Sequence, residues 1–205
     1  MKKILLILLL LPSLDTFSQE KDFQGFILYK YEFIDSSGND ITDQLKEKFG
    51  LEQHYYINFT NYKSYNEKGE ITQLYNSKSN KYFFRSGNQI RSVDASLEFP
   101  KLFEVENLKE TEAILGYECK SLKVKSENGE TIYFFNSAIK VNPDTFKRHR
   151  FGSWSNYLRA SNGALPLKFE VIKEGYTWKA TAILIEEKKL KDDDFEIEKI
   201  LKSKK

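Results

Sequence analysis

Apolar and polar residues alternate along most of this chain with a period of two, a rhythm that predicts strands. Within 25–34, Ile27, Tyr29, Tyr31 and Phe33 share one face, while Phe26, Leu28 and Ile34 share the other with Lys30 and Glu32. The first face is aromatic throughout; the second is apolar only at its ends. Ser36-Ser37-Gly38-Asn39-Asp40 breaks the strand. The period then changes. Ile41, Leu45 and Phe49 recur at every fourth position, predicting a short helix over 42–49 with Asn39 or Asp40 at its start and Gly50 as its stop.

Period two returns at His54. Strands are predicted over 55–59, 62–66, 71–75, 82–85 and 89–93, with polar turns at 67–69, 76–80 and 86–88. Short strands so regularly punctuated describe a large antiparallel sheet. Residues 94–111 are less regular, and Pro100 excludes a central strand there. Strand character resumes over 112–125, with Tyr117 and Cys119 on one face and Leu122 and Val124 on the other. Either both faces are covered or a bulge near Gly116 resets the register. Asn128-Gly129 signals a hairpin whose return strand is 131–135. Residues 136–163 read as a loop long enough that it should pack as a lid, a short helix or a binding loop. A last long hairpin, 167–173 and 176–187, turns at Glu174-Gly175, and 195–197 reads as a short edge strand.

The beginning of the chain has a different pattern. Met1-Lys2-Lys3 precedes the unbroken apolar run Ile4 to Leu11, then Pro12, with small residues at Thr16 and Ser18. This is the layout of a secretory signal peptide cut after Ser18. The run is far shorter than the roughly twenty residues a membrane-spanning helix needs. No cysteine lies near the cut, so an acyl tether of the bacterial lipoprotein kind is not expected. The expected organisation is a signal peptide over 1–18, one β-rich domain over 19–198 and a basic tail over 199–205. The mature protein is expected to be exported, periplasmic or secreted, with no transmembrane segment after signal removal.

Composition sharpens this picture. The 205 residues include 16 Phe, 12 Tyr and 2 Trp, a ring content that favours β-structure. A formal net charge of +2 gives no electrostatic case for nucleic acid. One cysteine, Cys119, allows no intramolecular disulfide and reads as a buried core residue. With two histidines beside it, a structural zinc site is not expected. Asp192-Asp193-Asp194 lacks the spaced oxygens and turn glycine of a calcium loop and reads as a solvated turn. No Gly-x-Ser-x-Gly elbow and no nucleophile–base spacing is present. The expectation is therefore no enzyme, no cofactor and no metal.

Two clusters remain as candidate sites. Tyr29, Tyr31, Phe33, Tyr55 and Ile57 fall at alternate strand positions, as do Phe84, Tyr133 and Phe135, and likewise Phe59 and Tyr82. If the sheet curls, this face lines a concavity suited to a lipid, an acyl chain or another hydrophobic small molecule. The competing reading is that helices and residues 136–163 fill the same space as ordinary core. The second cluster is the basic run Lys147-Arg148-His149-Arg150 with Phe151 and Trp154. Arg148, Arg150 and Trp154 would contact a headgroup or an envelope-protein partner; the competing reading is a solvated loop.

The second half of the chain also resembles a family. Ile114-Leu115-Gly116-Tyr117-Glu118-Cys119-Lys120 is similar to an I-x-G-Y-x-C-K segment, and it precedes a strand ending in Tyr133-Phe134-Phe135. Gly163-Ala164-Leu165-Pro166-Leu167 resembles the Gly-Leu-Pro element of the GLPGLI family of exported envelope proteins of Gram-negative bacteria. That resemblance implies a fold similar to the lipoprotein localisation factors. The expected class is α+β: a mainly antiparallel, curved sheet, or half-barrel, with one or two short helices on its concave side. Function is expected to be non-enzymatic, either binding of a hydrophobic ligand in the concave face or a structural, protein-interaction role with a filled core.

Overall fold

A computed structural model describes residues 21–202, so the expected signal segment 1–18 and the last residues of the basic tail, 203–205, lie outside it. The first strand is β1 (Gly25–Asp35), followed by helix α1 (Thr42–Phe49). A meander comes next: β2 (Glu52–Ile57), β3 (Tyr62–Tyr65), β4 (Ile71–Asn76), β5 (Lys81–Ser86) and β6 (Gln89–Asp94). Then come β7 (Glu104–Ile114), β8 (Tyr117–Ser126), β9 (Gly129–Lys140), helix α2 (Trp154–Ala160), β10 (Ala164–Lys173), β11 (Tyr176–Glu187) and helix α3 (Ile197–Lys202). All the strands join one antiparallel sheet in the order β6-β5-β4-β3-β2-β1-β11-β10-β9-β8-β7. The first and last strands therefore pair at the middle, and each flank is a chain of hairpins.

The face carrying Ile27, Tyr29, Tyr31 and Phe33 holds the main core, and all four are buried. α1 lies against it. Its first turn is held by Asp40, whose Oδ1 accepts the Thr42 N–H at 2.8 Å. Gly50 ends it at φ 79°, and the Gly50 N–H donates to the Lys46 carbonyl at 2.8 Å. Phe49 then stacks on Phe33 with ring centroids 5.3 Å apart. α2 and the 3₁₀ turn Pro143–Phe146 cover another part of the same face. On the opposite face, Phe195 from the 3₁₀ turn Asp192–Phe195 and Ile200 from α3 pack with Ile71 and Leu74 as a second small core.

The sheet is open and curved, as expected. Gln73 on β4 and Tyr133 on β9 line a single hollow of about 180 Å³, although six strand spacings separate them in the sheet. In a flat sheet that separation would be about 29 Å at ~4.8 Å per step. The ring-bearing face is thus the concave one.

Several sequence expectations need correction. Residues 104–111 are strand, not irregular: β7 is an edge strand whose Glu104, Glu106, Lys109 and Glu110 mask the apolar rhythm, as edge strands commonly do. Pro100 lies just outside it. Residues 112–114 end β7 rather than begin the next strand. Gly116 is no bulge; Leu115 and Gly116, at φ 51° and 82°, form the two-residue turn between β7 and β8. The register shift falls instead between Asn107 and Thr111, where the Ser121 hydroxyl donates to the Glu110 carbonyl at 2.6 Å. β2 ends at Ile57, leaving Phe59 in the following turn and exposed. β9 runs on to Lys140, and the rest of 136–163 is mostly helical turns. Residues 195–197 form no strand, and Lys199–Lys202 of the expected tail belong to α3. Among the described residues there are three α-helices rather than one or two. None is long and apolar enough to cross a membrane.

Candidate ligand-binding hollow

Six strands, β1–β4, β9 and β10, and one helix build the hollow. Period two on β2 sends Gln53, Tyr55 and Ile57 inward, opposite Tyr29, Ile27 and Gly25 of β1. Ile57 is wholly buried beneath, whereas Gln53 and Tyr55 reach the cavity wall. On the other flank Tyr133 of β9 pairs with Phe169 of β10, and Val171 follows two residues on. A register shift around Leu167 turns Pro166 into the same wall. The Tyr29 hydroxyl donates to the Pro166 carbonyl at 2.6 Å and so joins the two flanks.

α2 forms the roof. Trp154, its first residue, stacks on Tyr157 at 5.6 Å and sits edge-on to Tyr62 at 5.6 Å. Tyr157 in turn lies 4.4 Å from the Tyr133 ring and donates from its hydroxyl to the Ala164 carbonyl at 3.1 Å. Ser153, in a left-handed conformation at φ 58°, redirects the chain so that α2 starts over the sheet.

The hollow has no charged side chain in its wall; Gln53 and Gln73 are its amides, and rings make most of the rest. Burial pushes the Tyr55 and Tyr62 hydroxyls well above the usual phenol range and Tyr133 up to about 12, so all three stay protonated. Gln53 and Gln73 also border a second, wider trough of about 550 Å³ beside α1. That trough is polar, with Lys46, Glu47, Lys48, Glu67 and Arg85 around Tyr31 and Trp178.

Tyr29, Tyr55, Tyr133 and Trp154, all anticipated as site residues, come together at the hollow. Tyr31 faces the trough instead, as does Tyr82. Phe33 and Ile57 are fully buried core, and Phe135 is packed against it. Phe84 stacks on Tyr82 and on Phe151, away from the hollow's wall. The basic run does not share Trp154's environment: Arg148 and Arg150 are exposed and Arg150 is paired with Glu98, while the Trp154 ring turns inward. His149 is buried among tyrosines. Sequence reading missed Gln53, Tyr62, Gln73, Pro166, Phe169 and Val171. Gln53 and Phe169 carried a usable signal, since each continues the alternation of a neighbouring strand residue. Pro166 carried none, because its orientation depends on the register shift. Among the described residues no group of three or more His, Cys, Asp or Glu side chains is placed to hold a metal ion.

No family model matches the chain. No curated protein matches it either. Among solved structures, it is similar to PNGF-II in a C2 crystal form, at 16% identity and TM-score 0.48, over 83% of this chain and 29% of that one. The P21 form of PNGF-II gives 16% identity and TM-score 0.46, over 84% of this chain and 30% of that one. A LolA superfamily protein from Nitrosomonas europaea is similar at 8% identity and TM-score 0.36, over 87% of this chain and 92% of its own. The chain thus spans under a third of the PNGF-II chain.

Proposed function

We propose that this is an exported, non-enzymatic envelope protein that holds a compact hydrophobic group in the hollow between the sheet and α2. The observation that carries the reading is a ring-walled cavity of about 180 Å³ with no charged side chain in its wall. Small apolar groups bind in cavities of that kind; a cavity of about 150 Å³ accepts benzene. A long acyl chain exceeds the hollow, so a lipid would place only a chain end there and run on into the trough past Gln53 and Gln73. The leader of residues 1–18 supports export, and the likeness of 114–120 and 163–167 to GLPGLI proteins supports an envelope setting. The titratable groups of the hollow are tyrosines held protonated, which supports binding rather than chemistry.

Native mass spectrometry of protein purified from its own host tests this directly, together with titration of the delipidated protein by a fluorescent fatty acid. A co-purifying apolar molecule or saturable uptake is expected. Absence of both would end the reading.

A second reading is a protein-docking module of the envelope. Leu97, Phe99, Leu102 and Val105 stand exposed in and after the segment that leads to β7, which favours it. A pull-down from envelope extract that survives filling of the hollow but fails on Phe99→Ser would support that alternative.

A further inference from the structure

The trough beside α1 holds hydrogen-bonding groups that the protein itself does not use. Tyr31, which lines it, is only 7% exposed, yet its hydroxyl has no hydrogen-bond partner among the described residues. The Tyr55 hydroxyl and the Trp154 indole N–H are sealed from water, but the Tyr31 oxygen is not, and the trough is where it opens. Burial keeps this phenol protonated, so it can donate as well as accept. Two amides stand with it. Gln53 donates from Nε2 to Ser64 at 3.2 Å, which leaves its Oε1 as an acceptor. Gln73 accepts at Oε1 from the Tyr82 hydroxyl at 2.9 Å, which leaves its Nε2 as a donor. Neither remaining atom is sealed from solvent, and both side chains border the trough. Glu67 adds a carboxylate, of which one oxygen accepts the Leu51 N–H at 3.1 Å. The half-buried rings of Tyr82 and Trp178 lie among these groups.

We infer that the trough binds a neutral saccharide, whose hydroxyls exchange hydrogen bonds with Tyr31, Gln53, Gln73 and Glu67 while its ring lies against Tyr82 and Trp178. A sugar hydroxyl both donates and accepts, and this mixture of hydroxyl, amide oxygen, amide N–H and carboxylate answers both roles. The C–H face of a sugar is apolar and suits an aromatic ring. The charges around the trough largely cancel. Lys46 pairs with Asp43 at 2.8 Å, Lys68 with Glu47 at 3.8 Å and Arg85 with Glu70 at 3.9 Å. Lys48, placed over the Phe49 ring, is balanced by Glu67. Neither an anion nor a cation gains from such a wall, so the ligand is uncharged. The volume of about 550 Å³ falls within the ~300–1,000 Å³ of small-molecule sites and admits a disaccharide. This site lies beyond the hydrophobic-ligand reading of the hollow and does not depend on it.

Maltose, cellobiose, lactose and mannobiose serve as probes. Each is titrated into the mature protein while the indole N–H resonances of Trp154 and Trp178 are followed by NMR, assigned from the spectrum of Trp178→Phe. At least one disaccharide is expected to shift the Trp178 resonance saturably and to leave Trp154 in place. Tyr31→Phe should weaken that disaccharide about fivefold to tenfold. The same variant should keep the wild-type urea midpoint, because the hydroxyl it removes bonds nothing within the protein; a lost contact is thereby told from a lost fold. Glucose 1-phosphate should bind no more tightly than glucose. No response to any of the four disaccharides overturns the inference, as does a response that Tyr31→Phe leaves unchanged. Tighter binding of the phosphate than of glucose also overturns it and makes the trough an anion site. A fatty acid that shifts Trp178 where no disaccharide does assigns the trough to the lipid and leaves the hydrophobic-ligand reading standing.

Discussion

The hydroxyl of Tyr62 lies 2.6 Å from Nε2 of His149, and the two rings stack 5.5 Å apart at only 11° to one another. The Tyr75 ring covers the imidazole at 4.2 Å and Tyr82 approaches it at 5.4 Å. This stack ties the segment before α2 to β3, β4 and β5, and so fixes the roof of the hollow. A histidine inside a basic run is thus a core residue, with burial holding its pKa down to about 3.

That depression has a definite consequence for stability in acid. In the unfolded chain His149 takes up a proton near pH 6.5, but in the folded protein it does so only near pH 3. Between those values the unfolded state binds more protons, so stability falls as the pH drops through the window. The loss should amount to about 2–5 kcal/mol. Urea unfolding measured from pH 7 to pH 3 should show this decline in the wild type and a shallower one in His149→Phe. Equal slopes would mean the imidazole is reached by water.

Truncating either member of the pair strands the other. Tyr62→Phe leaves Nε2 of His149 without its partner, and His149→Phe does the same to the Tyr62 hydroxyl. Each single change should cost about 1–3 kcal/mol, since a buried polar group is left unsatisfied. The double substitution removes both polar groups and should cost less than the sum of the two. A cycle measured at pH 7 by denaturant unfolding therefore has a coupling energy of about 1 kcal/mol or more. Strict additivity would show that the contact contributes nothing.

Gly163 links α2 to β10 and has no room for a side chain. Its φ is +83°, and a Cβ there would lie 2.1 Å from the Val141 carbonyl oxygen. Its own N–H donates to the Leu158 carbonyl at 2.6 Å, so the backbone cannot easily move away. Gly163→Ala should cost about 2–5 kcal/mol, combining left-handed strain with a backbone clash. Gly116 has a similar φ of +82° but open space around it. Gly116→Ala should therefore cost only about 1–2 kcal/mol. Thermal unfolding of the two variants side by side separates crowding from strain; similar losses would mean the contact with Val141 relaxes.

The alternating rings and most of the turn glycines were readable in the sequence because each obeys a local rule, whereas Gly116, expected at a bulge, closes a two-residue turn. β1, α1 and the last hairpin follow from period two, period four and turn residues, with no long-range information needed. β7 was hidden because an edge strand exposes so much of itself that its residues need not alternate in polarity. α3 was misread since Phe195 and Ile197 look alternate, although Phe195 belongs to a 3₁₀ turn and Ile200 supplies the second apolar anchor. Four of the hollow's ten lining residues were legible, Tyr29, Tyr55 and Tyr133 as alternating strand rings and Trp154 beside the basic run. Tyr62 and Gln73 were not, because they join Tyr133 and Trp154 around the hollow only through curvature, and curvature is a property of the whole sheet.

Cys119 sits on β8 with no exposed surface, and its thiol donates to the Tyr117 carbonyl at 3.5 Å. Burial raises its pKa, and the neighbouring Glu112 charge raises it further. The thiolate is the reactive form, so both effects suppress chemistry at this sulfur. In an oxidising compartment such shielding would also keep a lone cysteine from bridging two chains. An aromatic disulfide reagent should therefore label the native protein only as fast as it unfolds, with the rate rising steeply through the urea transition. Cys119→Ala should lower stability by about 1–2 kcal/mol through the small void it leaves. Fast, stoichiometric labelling in native buffer would show instead that the β7–β8 hairpin opens locally, exposing a sulfur that the folded sheet encloses.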